Sequence, residues 1–444
     1  MTFSSLAFIC VFLPCCLAVY FALPRLRNAA LIGFSLAFYA YGEPVYVLLL
    51  LLSAAANWLL GIIIGDRAGT PRARPALVLA VILNLAPLAL FKYTALSPHL
   101  PLGISFYTFR ALSYVIDVYR GEVKGQRSFW GFLLYFSMFP QLIAGPIVRY
   151  ADIEAQLQTR KLTLRAVSSG ITRFSVGLGK KVLLANAAGR AVTLLLGAGV
   201  KMTVLGNWLG VVFFAFQLYF DFSGYSDMAI GLGRILGFEF KENFVYPYIS
   251  RSITEFWRRW HISLGSFFRD YVYIPLGGNR RHQILNLLIV WLLTGMWHGA
   301  GWNFLLWGAY YGALLILEKF VLKNALERLP SALRRVYSCA LILLGWAIFY
   351  FTDIAGLAAF LRGAVGIGAE LYDFRVGYAF LSNAFLLVIL VLASTPLPAK
   401  FAAKIREKRV LGAATEPLFN AIILAASFTA IVGSTFNPFL YFRF

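Results

Sequence analysis

Repeatedly, the chain runs for about 18 to 20 residues with almost no charge, the length a helix needs to cross roughly 30 Å of hydrocarbon at 1.5 Å per residue. Such runs cannot be distributed over a soluble core. Only 13% of the 444 residues are charged, 60% are hydrophobic and the mean hydropathy is +0.75. A soluble domain carries about 25% charged residues, so charge here is too scarce to cover a globular surface. The composition excludes a water-soluble enzyme and a disordered or fibrous chain. A membrane β-barrel needs short alternating segments, which are not seen. The expectation is an all-α, polytopic integral membrane protein.

Apolar segments near 29–41, 45–65, 76–91, 102–119, 129–148, 166–199, 203–233, 284–300, 302–318, 336–353, 378–396 and 417–435 follow a first run from Leu6 to Leu23. They predict roughly 11 to 13 membrane helices, including re-entrant or broken elements. The first run lacks a basic leader and ends at Pro24-Arg25, so it reads as a retained helix rather than a signal peptide. No linker interrupts the series, and 1–444 reads as one membrane domain.

Forty basic against 19 acidic residues leave a net charge of +21. In this setting the excess marks cytoplasmic loops that meet anionic lipid headgroups, not nucleic acid. Basic loops at Arg25/Arg27, Arg67–Arg74 and Arg120–Arg127 alternate with nearly uncharged ones, which places the N-terminus outside the cell. The alternation fails across 129–148, where Pro140 and Gly145-Pro146 suggest a segment that dips and returns. The four cysteines, three of them in the first apolar run, give no disulfide framework, and the four histidines form no metal-ligand spacing.

Residues 217–308 stand apart because they set ionisable side chains among apolar and aromatic ones, which in a bilayer normally marks a cavity or a partner. Asp221 and Asp227 lie among aromatics and are expected to pair structurally, with Arg234 and Arg110 as candidates. In Phe256-Trp257-Arg258-Arg259-Trp260-His261, the tryptophans and arginines read as an interfacial anchor, whereas His261 is open between anchoring and orienting a catalytic group. The run Gly277-Gly278-Asn279-Arg280-Arg281 is either an ordinary cytoplasmic turn or a phosphate cradle, with Arg269 and Asp270 just before it. His298, within Thr294-Gly295-Met296-Trp297-His298-Gly299-Ala300-Gly301-Trp302-Asn303, sits in roughly two turns of otherwise apolar helix. Either it packs against a helix carbonyl, or its imidazole removes a proton from a hydroxyl that attacks an acyl group. Trp297, Asn303, Arg269, Asp270, Arg280 and Arg281 are the candidate substrate- or donor-binding residues around it.

FWRRWHISLGSFFRDYVYIPLGGNRR followed by TGMWHGAGWNFLLWG resembles the membrane-bound O-acyltransferase superfamily, and more narrowly its branch of alginate O-acetyltransferases and teichoic-acid D-alanyl transferases. MTFSSLAFICVFLP, LGISFYTFRALSYVIDVYRG, FPQLIAGPIVRY, YFDFSGYSDMAIGLGRILGF and the closing NPFLYFRF extend the resemblance, in order, over essentially the whole chain. It implies a ring of helices around a central channel, with a catalytic region at about 217–308. It also implies His298 as general base and His261 as the residue that orients that step or stabilises charge near the thioester carbonyl. The implied reaction moves an acyl group, foremost acetyl, from a cytoplasmic thioester (acetyl-coenzyme A or an acyl carrier) to a hydroxyl of an envelope polysaccharide. An exported partner protein would relay it, at the bacterial inner membrane, with no bound cofactor or metal. D-alanyl transfer to teichoic acid is the near alternative. From a different class, a transporter or flippase would call for inverted repeats or paired broken helices, and none is evident.

Overall fold

The structure is a computed structural model that describes residues 1–94 and 99–433, leaving the closing NPFLYFRF run outside the described residues. Those residues are helical with connecting turns, and no strand occurs among them. Among the described residues, six helices are long and apolar enough to cross a membrane: Tyr46–Asp66, Ala73–Tyr93, Val204–Ile235, Trp302–Arg328, Ser331–Tyr350 and Ala414–Val432. Two bent pairs, Ala7–Ala22 with Pro24–Gly42 and Phe374–Ser382 with Ala384–Ala393, raise the number to eight if each is one span. The chain is a multi-pass membrane protein. The difference from 11 to 13 has a local cause. Several apolar segments are divided by prolines and glycines or fall short, as Gln283–His298 does at 16 residues.

Among the described residues the backbone groups into two compact units, one of residues 1–94, 99–178, 225–242 and 431–433, the other of 179–224 and 243–430. In the first, α1 (Tyr46–Asp66), α2 (Ala73–Tyr93) and α3 (Ile104–Arg120) pack together. Lipid supplies no hydrogen bonds, so the buried amides of Asn57 on α1 and Asn84 on α2 satisfy each other, Nδ2 of each donating to Oδ1 of the other at 3.1 and 2.7 Å. Gly103 starts α3 with φ +75°, and a β-carbon there would lie 2.5 Å from the Leu142 carbonyl oxygen, so only glycine fits. The segment expected to dip is indeed broken. A helix at Phe129–Ser137 stops at Met138, a four-residue turn follows, and Gly145 adopts φ +108°. Residues 132–148 are buried almost throughout, which is how irregular backbone survives in a membrane protein.

Helix α4 (Val204–Ile235) carries both aspartates of the aromatic stretch, Asp221 in the second unit and Asp227 in the first. Pairing is what the structure shows, with Lys181 and Arg173 as the cations. The Lys181 ammonium lies 2.7 Å from the Asp221 carboxylate, both side chains buried. The Arg173 guanidinium donates to Asp227 at 2.9 and 2.6 Å and to Glu242 at 3.0 Å. Of the two arginines the sequence favoured, Arg234 lies 3.9 Å from Glu242, and fully buried Arg110 reaches the Leu142 carbonyl at 3.5 Å.

The second unit holds α5 (Ile253–Trp257), α6 (Ile262–Phe268), α7 (Gln283–His298), α8 (Trp302–Leu317) and α9 (Ser331–Tyr350). Helices α7 and α8 cross through glycines: a β-carbon on Gly295 would lie 2.2 Å from the Phe304 carbonyl oxygen, and one on Gly308 would lie 2.3 Å from that of Trp291. Of the tryptophans expected at a membrane surface, Trp260 is a core residue and Trp257, partly buried, packs against the core. Trp257 meets the rings of Trp291, Trp307 and Tyr311 at 4.6, 5.4 and 4.8 Å, and Trp260 is buried beside Trp346. An amphipathic anchor and an aromatic core share one composition; only packing separates them.

Candidate active site

His298 is the last residue of α7 rather than the middle of a longer helix, because Gly299 turns the backbone extended and α8 restarts only at Trp302. Its ring is mostly buried and stands edge-on to aromatic faces, 5.0 Å from Trp307 and 5.3 Å from Phe349. Gly299 has to lack a side chain, since a β-carbon would fall 2.2 Å from the Phe304 ring. The same glycines that let α7 and α8 touch therefore put the imidazole at a helix break, held by rings.

His261 reaches the site by a different route. It precedes α6 in the left-handed conformation, φ +44°, ψ +54°, which for a residue with a β-carbon costs on the order of 1–2 kcal/mol. Aromatic rings hold the buried imidazole: Phe222 edge-on at 4.7 Å, Phe244 at 6.3 Å and Trp297 at 6.2 Å. Burial without a charged partner pulls its pKa down to about 3, so the ring is neutral over the physiological range. Trp297 also lies 4.9 Å from His298. One indole thus touches both imidazoles, and the two motifs that looked separate in sequence meet around it.

A cavity of about 1150 Å³ opens in the second unit, with His261, Trp257, Trp291 and Thr294 among its walls. His298 and Trp297 are not part of the lining. Five cations line it, Arg258, Arg269, Lys319, Lys323 and Arg334, against Glu318 and Glu327. Glu318 is occupied structurally: its carboxylate accepts the backbone N–H groups of Ile253 and Thr254 at 2.6 and 2.8 Å, capping α5 from a distance. The space is therefore electropositive, with an apolar aromatic floor.

Of the candidate binding residues, Arg269 lines the cavity, its guanidinium forked on Asp270 at 2.6 and 3.0 Å. Arg280 and Arg281 are exposed on the Gly-Gly turn and are not brought to the cavity. That turn is tied down by nearby side chains and by Lys319, whose ammonium donates to Asn279 at 3.1 Å. Asn286 Nδ2 donates to the carbonyls of Gly278 and Arg281, and Tyr273 donates its hydroxyl to Asn279. Asn303 braces α8 to α9 by donating to the Phe349 carbonyl at 3.3 Å. The cations that sequence reasoning missed are Lys319, Lys323 and Arg334. Lys319 and Lys323 stand four apart on one helical run, a spacing that places both on one face. Asn243, hydrogen-bonded to His261, was also missed and carried no sequence signal.

The fold and the pair of histidines beside an electropositive cavity fit a membrane acyltransferase, and the comparisons with known proteins show that class. Residues 123–358 match the model of the membrane-bound O-acyltransferase family, and the chain belongs to that family. It is 42% identical over 375 residues to a probable alginate O-acetylase AlgI of Azotobacter vinelandii, covering 79% of this chain and 75% of that one. It is 32% identical over 421 residues to a peptidoglycan O-acetyltransferase of Helicobacter pylori (82% and 80%). With a teichoic acid D-alanyltransferase of Bacillus subtilis it shares 31% over 265 residues (54% and 67%). The protein is thus a membrane O-acyltransferase of the AlgI type.

Proposed function

We propose that the chain transfers acetyl groups from a cytoplasmic thioester to hydroxyls of an envelope polysaccharide, acting as one domain in the bacterial inner membrane with its N-terminus outside. The donor is acetyl-coenzyme A or an acetylated carrier, and an exported partner passes the group to the polymer. The observation that carries the reading is the convergence of His261 and His298 on Trp297, with His261 in the wall of the electropositive cavity. Such a cavity suits a donor that brings phosphate groups and an apolar arm to the thioester. His298 acts as general base: it takes the proton of the accepting hydroxyl as that oxygen bonds to the acyl carbon. The carbon–sulfur bond breaks, and the departing thiolate is protonated. His261 works on the same reacting groups from the cavity side.

Acetyl is favoured over D-alanyl because the alginate-type relative is 42% identical over 79% of the chain, against 31% over 54% for the D-alanyltransferase. The test is O-acetyl release from envelope polysaccharide of cells carrying His298→Ala or His261→Ala. Each variant is expected at normal membrane level with O-acetylation lost. Persistent O-acetylation in the His298 variant sinks the assignment, and D-alanyl ester in place of acetate sinks the donor.

A further inference from the structure

Asn243 is fully buried, and its side-chain oxygen gathers the start of α6 around itself. Oδ1 accepts the Ser263 backbone N–H at 3.2 Å and the Ser263 hydroxyl at 2.9 Å, and lies 3.2 Å from His261 Nδ1. The Asn243 carbonyl accepts the Ile262 N–H at 3.0 Å. A backbone N–H can only donate, so the atom facing Ser263 must be the amide oxygen rather than its nitrogen, which removes the usual ambiguity of an asparagine. An oxygen that only accepts then requires Nδ1 of His261 to carry the proton. The other ring nitrogen, Nε2, is buried with no hydrogen-bond partner among the described residues. Such an unmatched acceptor costs roughly 1–3 kcal/mol, a penalty that a substrate donor would relieve.

We infer that Asn243 is a positioning residue that locks His261 in the Nδ1–H tautomer, so that Nε2 meets the reacting groups as a hydrogen-bond acceptor. The inference rests on the acyl-transfer reading and narrows it. A neutral imidazole held this way has no proton on Nε2 to offer a thioester carbonyl, so it cannot stabilise the oxyanion; it accepts a hydrogen bond from the attacking hydroxyl or from the carrier thiol. The left-handed backbone at His261 and the three surrounding rings keep the imidazole from turning, so the choice of tautomer falls to Asn243. In a balanced step, His298 takes the proton of the attacking hydroxyl as its oxygen bonds to the acyl carbon and the carbon–sulfur bond breaks, and passes it to the departing thiolate, while Nε2 of His261 accepts a hydrogen bond and Nδ1–H stays on Asn243.

Only four histidines are present, so uniform [15N]histidine labelling gives a spectrum simple enough to assign by solid-state NMR of the protein in bilayers, with His261→Gln identifying the signal. The wild type is expected to show His261 protonated at Nδ1 and bare at Nε2. Asn243→Leu should convert it to the Nε2–H form and lower kcat about 100-fold or more, as a wrong tautomer does elsewhere, with donor KM within about threefold. Asn243→Asp, which keeps an acceptor, should retain Nδ1–H and most of the activity. An Nε2–H signal in the wild type overturns the inference without any variant having to fold. So does an Asn243→Leu protein that keeps its tautomer or its kcat. If the spectra are as expected but the wild type forms no O-acyl product, the acyl-transfer reading fails while the tautomer assignment stands.

Discussion

The two histidines reach one indole by opposite means. His298 ends a regular apolar helix, and its place follows from glycines that let α7 and α8 touch and from the rings of Trp307 and Phe349. His261 belongs to an irregular stretch between short helices, holds a left-handed backbone, and has a dedicated acceptor 18 residues earlier in the chain. One is positioned by packing and the other by hydrogen bonding. Packing is tolerant of chemistry and intolerant of volume, and hydrogen bonding is the reverse. The two halves of the site should therefore fail in different ways when altered.

The largest effect tests the comparison at its base. His298→Ala and His261→Ala should each lower the rate of acetyl transfer by about 10²–10⁴, the span typical of a general acid–base group, with the protein still in the membrane. Equal losses mean both rings act on the reaction. Full activity in His261→Ala would leave His298 alone and reduce the second ring to scaffolding.

Next comes volume. Gly308→Val puts a side chain where a β-carbon alone would sit 2.3 Å from the Trp291 carbonyl oxygen, so α7 and α8 must part. The expected cost is about 1–3 kcal/mol or more, read as a lower thermal midpoint in detergent, with activity lost through His298. The His261 tautomer should survive wherever the protein remains folded. A variant that keeps its midpoint would show that the helices do not need this crossing.

A third test separates the rings by pH. Burial holds the His261 pKa at about 3, below its ordinary 6.5. Between those values the unfolded chain binds a proton that the folded one does not, so stability rises with pH through that window and falls on acidification. The slope from one such group approaches at most about 1.4 kcal/mol per pH unit. His261→Gln should flatten the acid side of a plot of thermal midpoint against pH by that component. An unchanged slope would mean that the ring is charged when folded.

How much of this was legible beforehand follows the same division. Membrane character, helical class and the break at residues 138–146 rest on composition and local backbone chemistry, which a sequence displays directly. His298 stood out because an imidazole among apolar residues is conspicuous. Asn243 did not, because its partner is reached through irregular chain with no periodicity to reveal the pairing. Asp221 and Asp227 announced that they needed cations, but which cations is a matter of packing, and Lys181 and Arg173 come from another part of the chain. Trp257 and Trp260 looked like surface anchors because an aromatic belt and an aromatic core use the same residues.

The smallest expected effect concerns two sets of arginine and lysine that sequence reasoning ranked in the opposite order. Arg258, Lys319 and Arg334 line the cavity, whereas Arg280 and Arg281 are exposed on the Gly-Gly turn and do not line it. A cation on the wall of a cavity that holds a bound anion meets it directly and contributes more than one that faces open water, where salt screens it. Replacing Arg258, Lys319 or Arg334 singly by Gln should raise the KM for the acyl donor about 3- to 10-fold, with kcat within about twofold and reduced sensitivity to ionic strength. Arg280→Gln and Arg281→Gln should leave donor KM within about twofold. If the turn variants weaken the donor more than the cavity variants do, the donor's phosphates lie on the Gly-Gly turn, and the cavity beside His261 has some other occupant. The donor's position would then no longer single out His261 as the histidine on its side, and the contrast between a packed base and a hydrogen-bonded one would have to be redrawn around His298 alone.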